Sequence, residues 1–320
     1  ELRDGLIEIK GQHLSADIPL DQGMLAALDA IIAAYRAPII PDLPPLQGGV
    51  MGYLGYDTIR EVEHLPHVPH DDRGFPDAVM SIIGSLAAFD HWRQRVYLIE
   101  SVPVLDMNTE AIDREYDEAC VRVQRAVDKL SQPLSSPAAE PPQLGEAAPE
   151  VRSSMADGVY QQAVEVAKEH ILAGDIFQVV LAQRYDIDLQ ADPFDFYRVL
   201  RQVNPSPYMY FLRHPDITIA GSSPEPMVKV LGRTVVSRPI AGTRRRGRTD
   251  DDDRRMAGEL KENPKEVAEH IMLVDLARND VGRVAEFGTV QVSELMSLER
   301  YSHVMHLTSQ VTGELVQGKT

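Results

Sequence analysis

Glu266 and Glu269 stand three residues apart in "PKEVAEHIMLVDLARND", with His270 directly behind them. On a helix these positions, i, i+3 and i+4, share one side. A carboxylate pair so placed can hold Mg²⁺, which takes oxygen ligands and keeps several waters. The same spacing describes a solvent-facing acidic stripe, and spacing alone favours the stripe. No H-E-x-x-H zinc pattern is present. Glu225 follows a Ser-Ser-Pro turn in "AGSSPEPMV", directly after a strand. Partly buried at a strand end, its carboxyl would have a raised pKa and donate a proton; in an open turn it would only be solvated. In "YSHVMHLTS", His303 and His306 have opposite strand parity, which argues against a shared metal, and His306 shares a face with Val304 and Thr308. On its own that reads as a satisfied strand histidine. In "IFQVVLAQR", alternation puts Phe177, Val179 and Leu181 on a core face and Gln178, Val180, Ala182 and Arg184 on the other, facing a pocket or solvent.

A basic run stands out in an acidic chain. "SRPIAGTRRRGRTDDDD" (237–253) carries five arginines and then four aspartates, against a net charge of −17. A duplex-binding protein needs a broad basic face, and no aromatic residues interleave with these arginines as a single-strand platform would require. Both observations exclude nucleic acid as the partner. Pro239 and Gly242 flank a short turn, where glycine lets a backbone approach a ligand closely. Ala241, Gly242 and Thr243 are therefore expected to contact a small anion, while Arg244–Arg248 pair with Asp250–Asp253 on the next helix.

These groups need a scaffold. The patterns predict a helix over 21–36, a glycine-rich strand in Gly48–Asp57 with close backbone approach, and two strands joined by a turn near Asp90–Arg93. A helix follows over about 108–130. The Pro/Ala/Ser tract of 131–152 has too little apolar surface to offset its ordering entropy and reads as a linker. Region 153–320 then alternates short strands with helices at about 157–173, 193–203 and from Asn263-Pro264 onward. Mixed order with hairpin-like spacing predicts an α+β sandwich with largely antiparallel sheets, preceded by an N-terminal region over 1–130.

No apolar run is long enough to span a bilayer, and "ELRDGLIEIKGQ" lacks a secretory pattern. It also lacks an initiator Met, so upstream residues are expected. The single Cys120, at core spacing on a predicted helix, cannot form an intrachain disulfide, and a reduced cytoplasmic setting is the simpler inference. Neither a phosphate-binding G-x-x-x-x-G-K-[ST] loop nor a G-x-S-x-G elbow occurs.

In order along the chain, "GDIFQVVLAQR", "NPSPYMYF", "GSSPE", "RPIAGTRRRG", "PKEVAEHIMLVDLARNDVGRV" and "YSHVMHLTSQVTGEL" resemble the chorismate-utilising enzymes, most closely their anthranilate synthase component I branch. The resemblance is dense over 153–320, and "GGVMGYLGYD" and "AAFDHWRQRV" extend it into the N-terminal half. It implies the family's α/β sandwich and a substrate, chorismate, whose carboxylate is shielded by Mg²⁺. It further implies Glu269 as a direct magnesium ligand, with Glu266 near the ion through water. Glu225 matches the acid that protonates the departing C4 hydroxyl, Ala241–Thr243 match a loop whose backbone lies against the substrate, and His306 matches the histidine that assists elimination of pyruvate. Gln178 stands where water-adding relatives carry a lysine base, and Ala241 where aminodeoxychorismate synthases commonly carry a lysine nucleophile. Both point to ammonia as the nucleophile and anthranilate as the product. The ammonia would come from a glutamine amidotransferase subunit, and Pro207, Tyr208 and Met209 match the part that binds tryptophan as feedback inhibitor.

The family's pattern continues past the position of Thr320 through a Gly-rich segment and a second magnesium glutamate. The resemblance thus implies a longer chain, or a partner that completes the site. Competing readings are aminodeoxychorismate or isochorismate formation, which lysines at positions 178 and 241 would have favoured, and a non-catalytic member that binds tryptophan or a glutaminase.

Overall fold

The computed structural model describes all residues except 4, 12–16, 105–106, 135–136, 141–147 and 320. Most of the expected linker's centre therefore lies outside the described residues. The rest gathers into two compact units, Glu1–Pro137 with Pro215–Ile217, and Ala138–His214 with Thr218–Thr320. Every described strand pair is antiparallel, and helices and sheets are mixed in the α+β manner expected.

The first unit runs β1 (Leu2–Arg3), β2 (Leu6–Ile7), α1 (Met24–Ala34), β3 (Gly49–Leu54), β4 (Ala78–Ile83), β5 (Ser85–Asp90), β6 (Arg95–Glu100) and α2 (Thr109–Leu130). Its four-stranded sheet has the order β2-β1-β4-β3 and packs Leu2 and Ala78 against Met24 of α1. Helix α1 starts without a capping side chain of its own. Instead, the Glu61 carboxylate accepts from the N–H groups of Met24 and Leu25, at 2.7 and 2.9 Å. The close approach expected at the glycine-rich strand occurs at Gly52, where a Cβ would lie 1.8 Å from the Val79 carbonyl oxygen. The stretch expected to form two strands forms three, because Gly84 interrupts the first and sends β4 and β5 into different sheets. Helix α2 starts at the Asn108 cap, whose side chain accepts from the Glu110 N–H, and buries Ala119. Cys120 is exposed, one step round the helix from the buried stripe where spacing had placed it.

The second unit holds β7 (Val151–Ser153), α3 (Val159–Ala173), β8 (Tyr185–Ile187), α4 (Pro193–Val203), β9 (Tyr208–Arg213), β10 (Thr218–Ser223), β11 (Lys229–Leu231), β12 (Thr234–Ser237), β13 (Ile240–Arg245), α5 (Asp250–Glu262), α6 (Pro264–Gly282), β14 (Gln291–Arg300) and β15 (Val304–Glu314). Strand β15 is the axis of its main sheet. Strands β12 and β13 follow one another along one edge of β15, and β14 runs along the other. Alternation along β15 is strict on the helix side: Met305, Leu307, Ser309 and Val311 are fully buried. Leu307 and Met305 meet Met256, Ala257 and Leu260 of α5, while Val311 meets Val274, Ala277 and Val281 of α6. Both helices start on the signals the sequence shows. Thr249 caps α5 by accepting from the Asp252 N–H, and four aspartates in its first turn face the positive end of the helix dipole. Asn263 caps α6 with Pro264 at the first helical position.

Two further expectations fail. The alternating "IFQVVLAQR" has no regular secondary structure, and only Tyr185–Ile187 beyond it forms a strand. Phe177 is 91% exposed and Val179 45%, and of the predicted core face only Leu181 is half-buried. Alternation makes a strand only where a neighbour supplies the ladder, and β8 finds one in β7. The basic run, expected as a turn, is strand β13 over Ile240–Arg245.

Candidate active site

Strand β13 is where the candidate groups converge. Its register against β15 shifts between Ala241 and Thr243, so Gly242 is a bulge, with φ +73°. Glycine is at home in that left-handed conformation. Ala241 is buried opposite Leu307, whereas Thr243 stands opposite His306 on the other face. Thr243 Oγ1 lies 3.0 Å from His306 Nδ1, and the Gly242 carbonyl oxygen 3.4 Å from the same nitrogen. From the helix side, Glu266 comes up to the bulge: a Cβ on Gly242 would lie 3.2 Å from its Oε2. One backbone thickness thus separates the imidazole from a helix carboxylate.

Glu225 joins the same strand at its start. The Ile240 N–H donates to Glu225 Oε1 at 3.0 Å. The Ser223 hydroxyl shapes the preceding turn, accepting from the Glu225 N–H and donating to its carbonyl. Atoms crowding the carboxyl raise its pKa above the ordinary glutamate value, and the Ile240 N–H pulls in the opposite direction. The residue as a whole is exposed, so its carboxyl stays within reach of solvent or ligand. From Ile240 to Thr243 is about 10 Å of strand at roughly 3.4 Å per residue.

His306 is flanked on its other side by β14. Glu299 is its register partner there, but the Glu299 carboxylate is already taken by the Arg238 guanidinium and the Tyr301 hydroxyl. Tyr301 tilts its ring 5.6 Å from the imidazole. Burial, and then the bond to Glu299, push its pKa up to about 12, so the phenol remains a neutral donor. Local sequence does not announce this trio, because Glu299 lies 61 residues from Arg238. Only the presence of an arginine in the basic run hinted at a paired carboxylate.

The arginine run divides differently from expectation. Arg246 does pair with Asp253, through Nε at 2.7 Å and Nη2 at 3.2 Å. The Gly247 N–H and Arg300 Nε add to that carboxylate, holding its pKa down at about 2, chiefly through Arg246. Arg244 instead shares the face of Met305 and donates to Glu266 Oε1 at 3.0 Å. Glu269, half-buried one turn on, has no hydrogen-bond or ion-pair partner among the described residues. His270 leaves this group altogether. It is fully buried, with Nε2 2.6 Å from the Ser309 hydroxyl, and burial lowers its pKa. The predicted stripe therefore faces the sheet, not solvent.

Among the described residues no three His, Cys, Asp or Glu side chains are grouped to hold a metal. The pair present is nonetheless a hard, oxygen-only donor set, with Glu269 unengaged and Glu266 half-committed to Arg244. That fits Mg²⁺, which binds through one or two carboxylates and keeps several waters. Gln178 is exposed in its irregular segment and meets none of these groups through a hydrogen bond. Pro207 and Tyr208 are exposed and Met209 half-buried at the opening of β9. There Tyr208 opposes Ser223 and Met209 opposes Ser222.

A strand-borne histidine, a glutamate of raised pKa and a helix carboxylate pair thus gather around one bulged strand. The chain belongs to the chorismate binding enzyme family, whose pattern matches residues 12–320. Within the family it is similar to anthranilate synthase component 1. It is 43% identical to that protein of Mycolicibacterium smegmatis over 302 residues, 92% of this chain and 57% of the relative. It is 42% identical to that of Thermus thermophilus over 321 residues, 100% of this chain and 65% of the relative. The crystal structure of anthranilate synthase component I from Streptococcus pneumoniae superposes with a TM-score of 0.81 at 32% identity, covering all of this chain and 67% of that one. The chain thus spans 57–65% of the length of these two sequence relatives. Among the described residues no helix is long and apolar enough to cross a membrane.

Proposed function

We propose that the chain is part of the large, aminating subunit of anthranilate synthase, which converts chorismate and ammonia to anthranilate and pyruvate. The observation that carries this reading is the approach of Glu225, with its raised pKa, and His306 to one strand, β13. Ammonia adds at C2 of the ring as the C4–O bond breaks, and the Glu225 proton leaves with that oxygen as water. His306 then removes the C2 proton, the bond to the enolpyruvyl oxygen breaks, and pyruvate departs from the aromatic ring. The Ala241–Gly242–Thr243 backbone lies against the substrate. Glu269, with Glu266 behind it, would hold Mg²⁺, which offsets the charge of a substrate carboxylate that these glutamates would otherwise repel.

Gln178 and Ala241 favour ammonia, since neither supplies the amine or base that water-adding and aminodeoxychorismate-forming relatives use. A glutamine amidotransferase subunit supplies the ammonia, and tryptophan binds at Pro207, Tyr208 and Met209 as inhibitor. The single exposed cysteine is in keeping with a cytoplasmic setting.

The test is incubation with chorismate, Mg²⁺ and an ammonium salt, with products identified by mass. Anthranilate and pyruvate are expected, with Glu225→Gln blocking the first step and His306→Ala accumulating the amino intermediate. Isochorismate or a 4-amino product would overturn the assignment. Loss of turnover with added tryptophan, restored by Met209→Ala, tests the inhibitor site.

A further inference from the structure

His306 Nδ1 has two oxygens for neighbours, and they are not equivalent. The Gly242 carbonyl, 3.4 Å away, can only accept. The Thr243 hydroxyl, 3.0 Å away, can donate or accept. A bare Nδ1 would satisfy the hydroxyl but turn its lone pair toward the carbonyl oxygen. A protonated Nδ1 is accepted by both. The remaining neighbours do not alter this balance. Glu299, the register partner on β14, has one carboxylate oxygen held by Arg238 and the other by Tyr301. Tyr301 offers its ring, not its hydroxyl, to the imidazole. Nε2 has no hydrogen-bond partner among the described residues.

We infer that Gly242 and Thr243 fix His306 as the Nδ1–H tautomer, so that Nε2, which no described residue engages, keeps an unprotonated lone pair for a ligand. Thr243 is then a positioning residue, acting through the imidazole. The bulge is part of the device, because the register shift at Gly242 turns its carbonyl toward the ring while Thr243 keeps its place opposite His306. The tautomer follows from the local hydrogen bonds alone. Its catalytic meaning, a base ready to take the C2 proton, rests on the function proposed above.

The chain labelled with ¹⁵N-histidine is examined by long-range ¹H–¹⁵N correlation in mildly alkaline buffer, with His306→Gln assigning the signal. The wild-type pattern is expected to be that of Nδ1–H. Thr243→Val is expected to populate Nε2–H, and Thr243→Ser to restore Nδ1–H. In chorismate turnover, Thr243→Val lowers kcat for the elimination step on the order of tenfold or more, with the amino intermediate accumulating, KM little changed, and Thr243→Ser recovering most of the loss. An Nε2–H signal in the wild-type chain overturns the inference, as does Thr243→Val with an unchanged tautomer. Because the spectrum needs no turnover, an Nδ1–H signal in a chain that makes isochorismate or a 4-amino product refutes the proposed function and leaves the tautomer assignment standing.

Discussion

Replacing Gly242 by alanine should damage the second unit from two directions at once. At φ +73°, any residue with a Cβ is strained by about 1–2 kcal/mol. The new methyl would also stand 3.0 Å from Leu260 Cδ1 and 3.2 Å from Glu266 Oε2. Leu260 is 0% exposed, and overpacking a buried side chain costs about 1–3 kcal/mol. The sum is about 2–5 kcal/mol. Fluorescence of Trp92 is the wrong probe, since that side chain lies in the first unit and is 94% exposed. Native-state hydrogen exchange of the β15 amides reports the right cooperative unit. At tenfold per 1.4 kcal/mol, protection should fall by roughly thirtyfold to several thousandfold. Gly258→Ala is the control. It sits inside α5 with nothing within 4 Å of the added Cβ, and should raise stability by about 0.5–1 kcal/mol. Protection in Gly242→Ala within threefold of wild type would refute the bulge as a constraint.

The Asp253 carboxylate, with its pKa held at about 2, contributes stability that is present above the ordinary value of 3.8 and is lost as pH falls through 2. Asp253→Asn should therefore flatten the acid limb of the unfolding curve and lower stability at neutral pH, which acid titration followed by circular dichroism will measure. Mg²⁺ binding followed by calorimetry should weaken more in Glu269→Gln than in Glu266→Gln, because Arg244 already neutralises Glu266. An equal loss would mean that the ion displaces Arg244. Glu225 must be protonated to act as an acid, and its pKa is raised. The first step should accordingly persist above the ordinary glutamate range and fall as pH rises through the raised value. A rate that climbs with pH across that interval would remove Glu225 from the role.

Much of this was visible in local sequence. Asn263-Pro264 announces α6 because a cap and a fixed φ are properties of adjacent residues. The alternation of β15 shows because each residue keeps its own side of the sheet. What stayed hidden depends on partners far along the chain. "IFQVVLAQR" alternates as well as β15 does, but a strand exists only with a ladder beside it. The arginine run gave no sign that Arg244 turns toward Glu266 while Arg246 turns toward Asp253, since the two carboxylates stand on different helices, α6 and α5. Glu299 and Tyr301 enter the site through the hairpin that returns β14 alongside His306. His270 looked like a member of the carboxylate group because helical spacing specifies an angle, and not which neighbour fills it.

The central position of β15 also bears on the order in which the sheet can be assembled. Strands β12, β13 and β14 precede it in the chain, and each pairs with it. During synthesis β13 therefore waits for some 60 residues before its partner exists, as the pairing of Thr243 with His306 shows. Until then the apolar faces of α5 and α6 lack Met305, Leu307 and Val311, the β15 side chains that complete their two clusters. Contacts that close so late make for slow folding and leave sticky intermediates. Closure of the β14–β15 hairpin is thus the step that brings the histidine beside its strand.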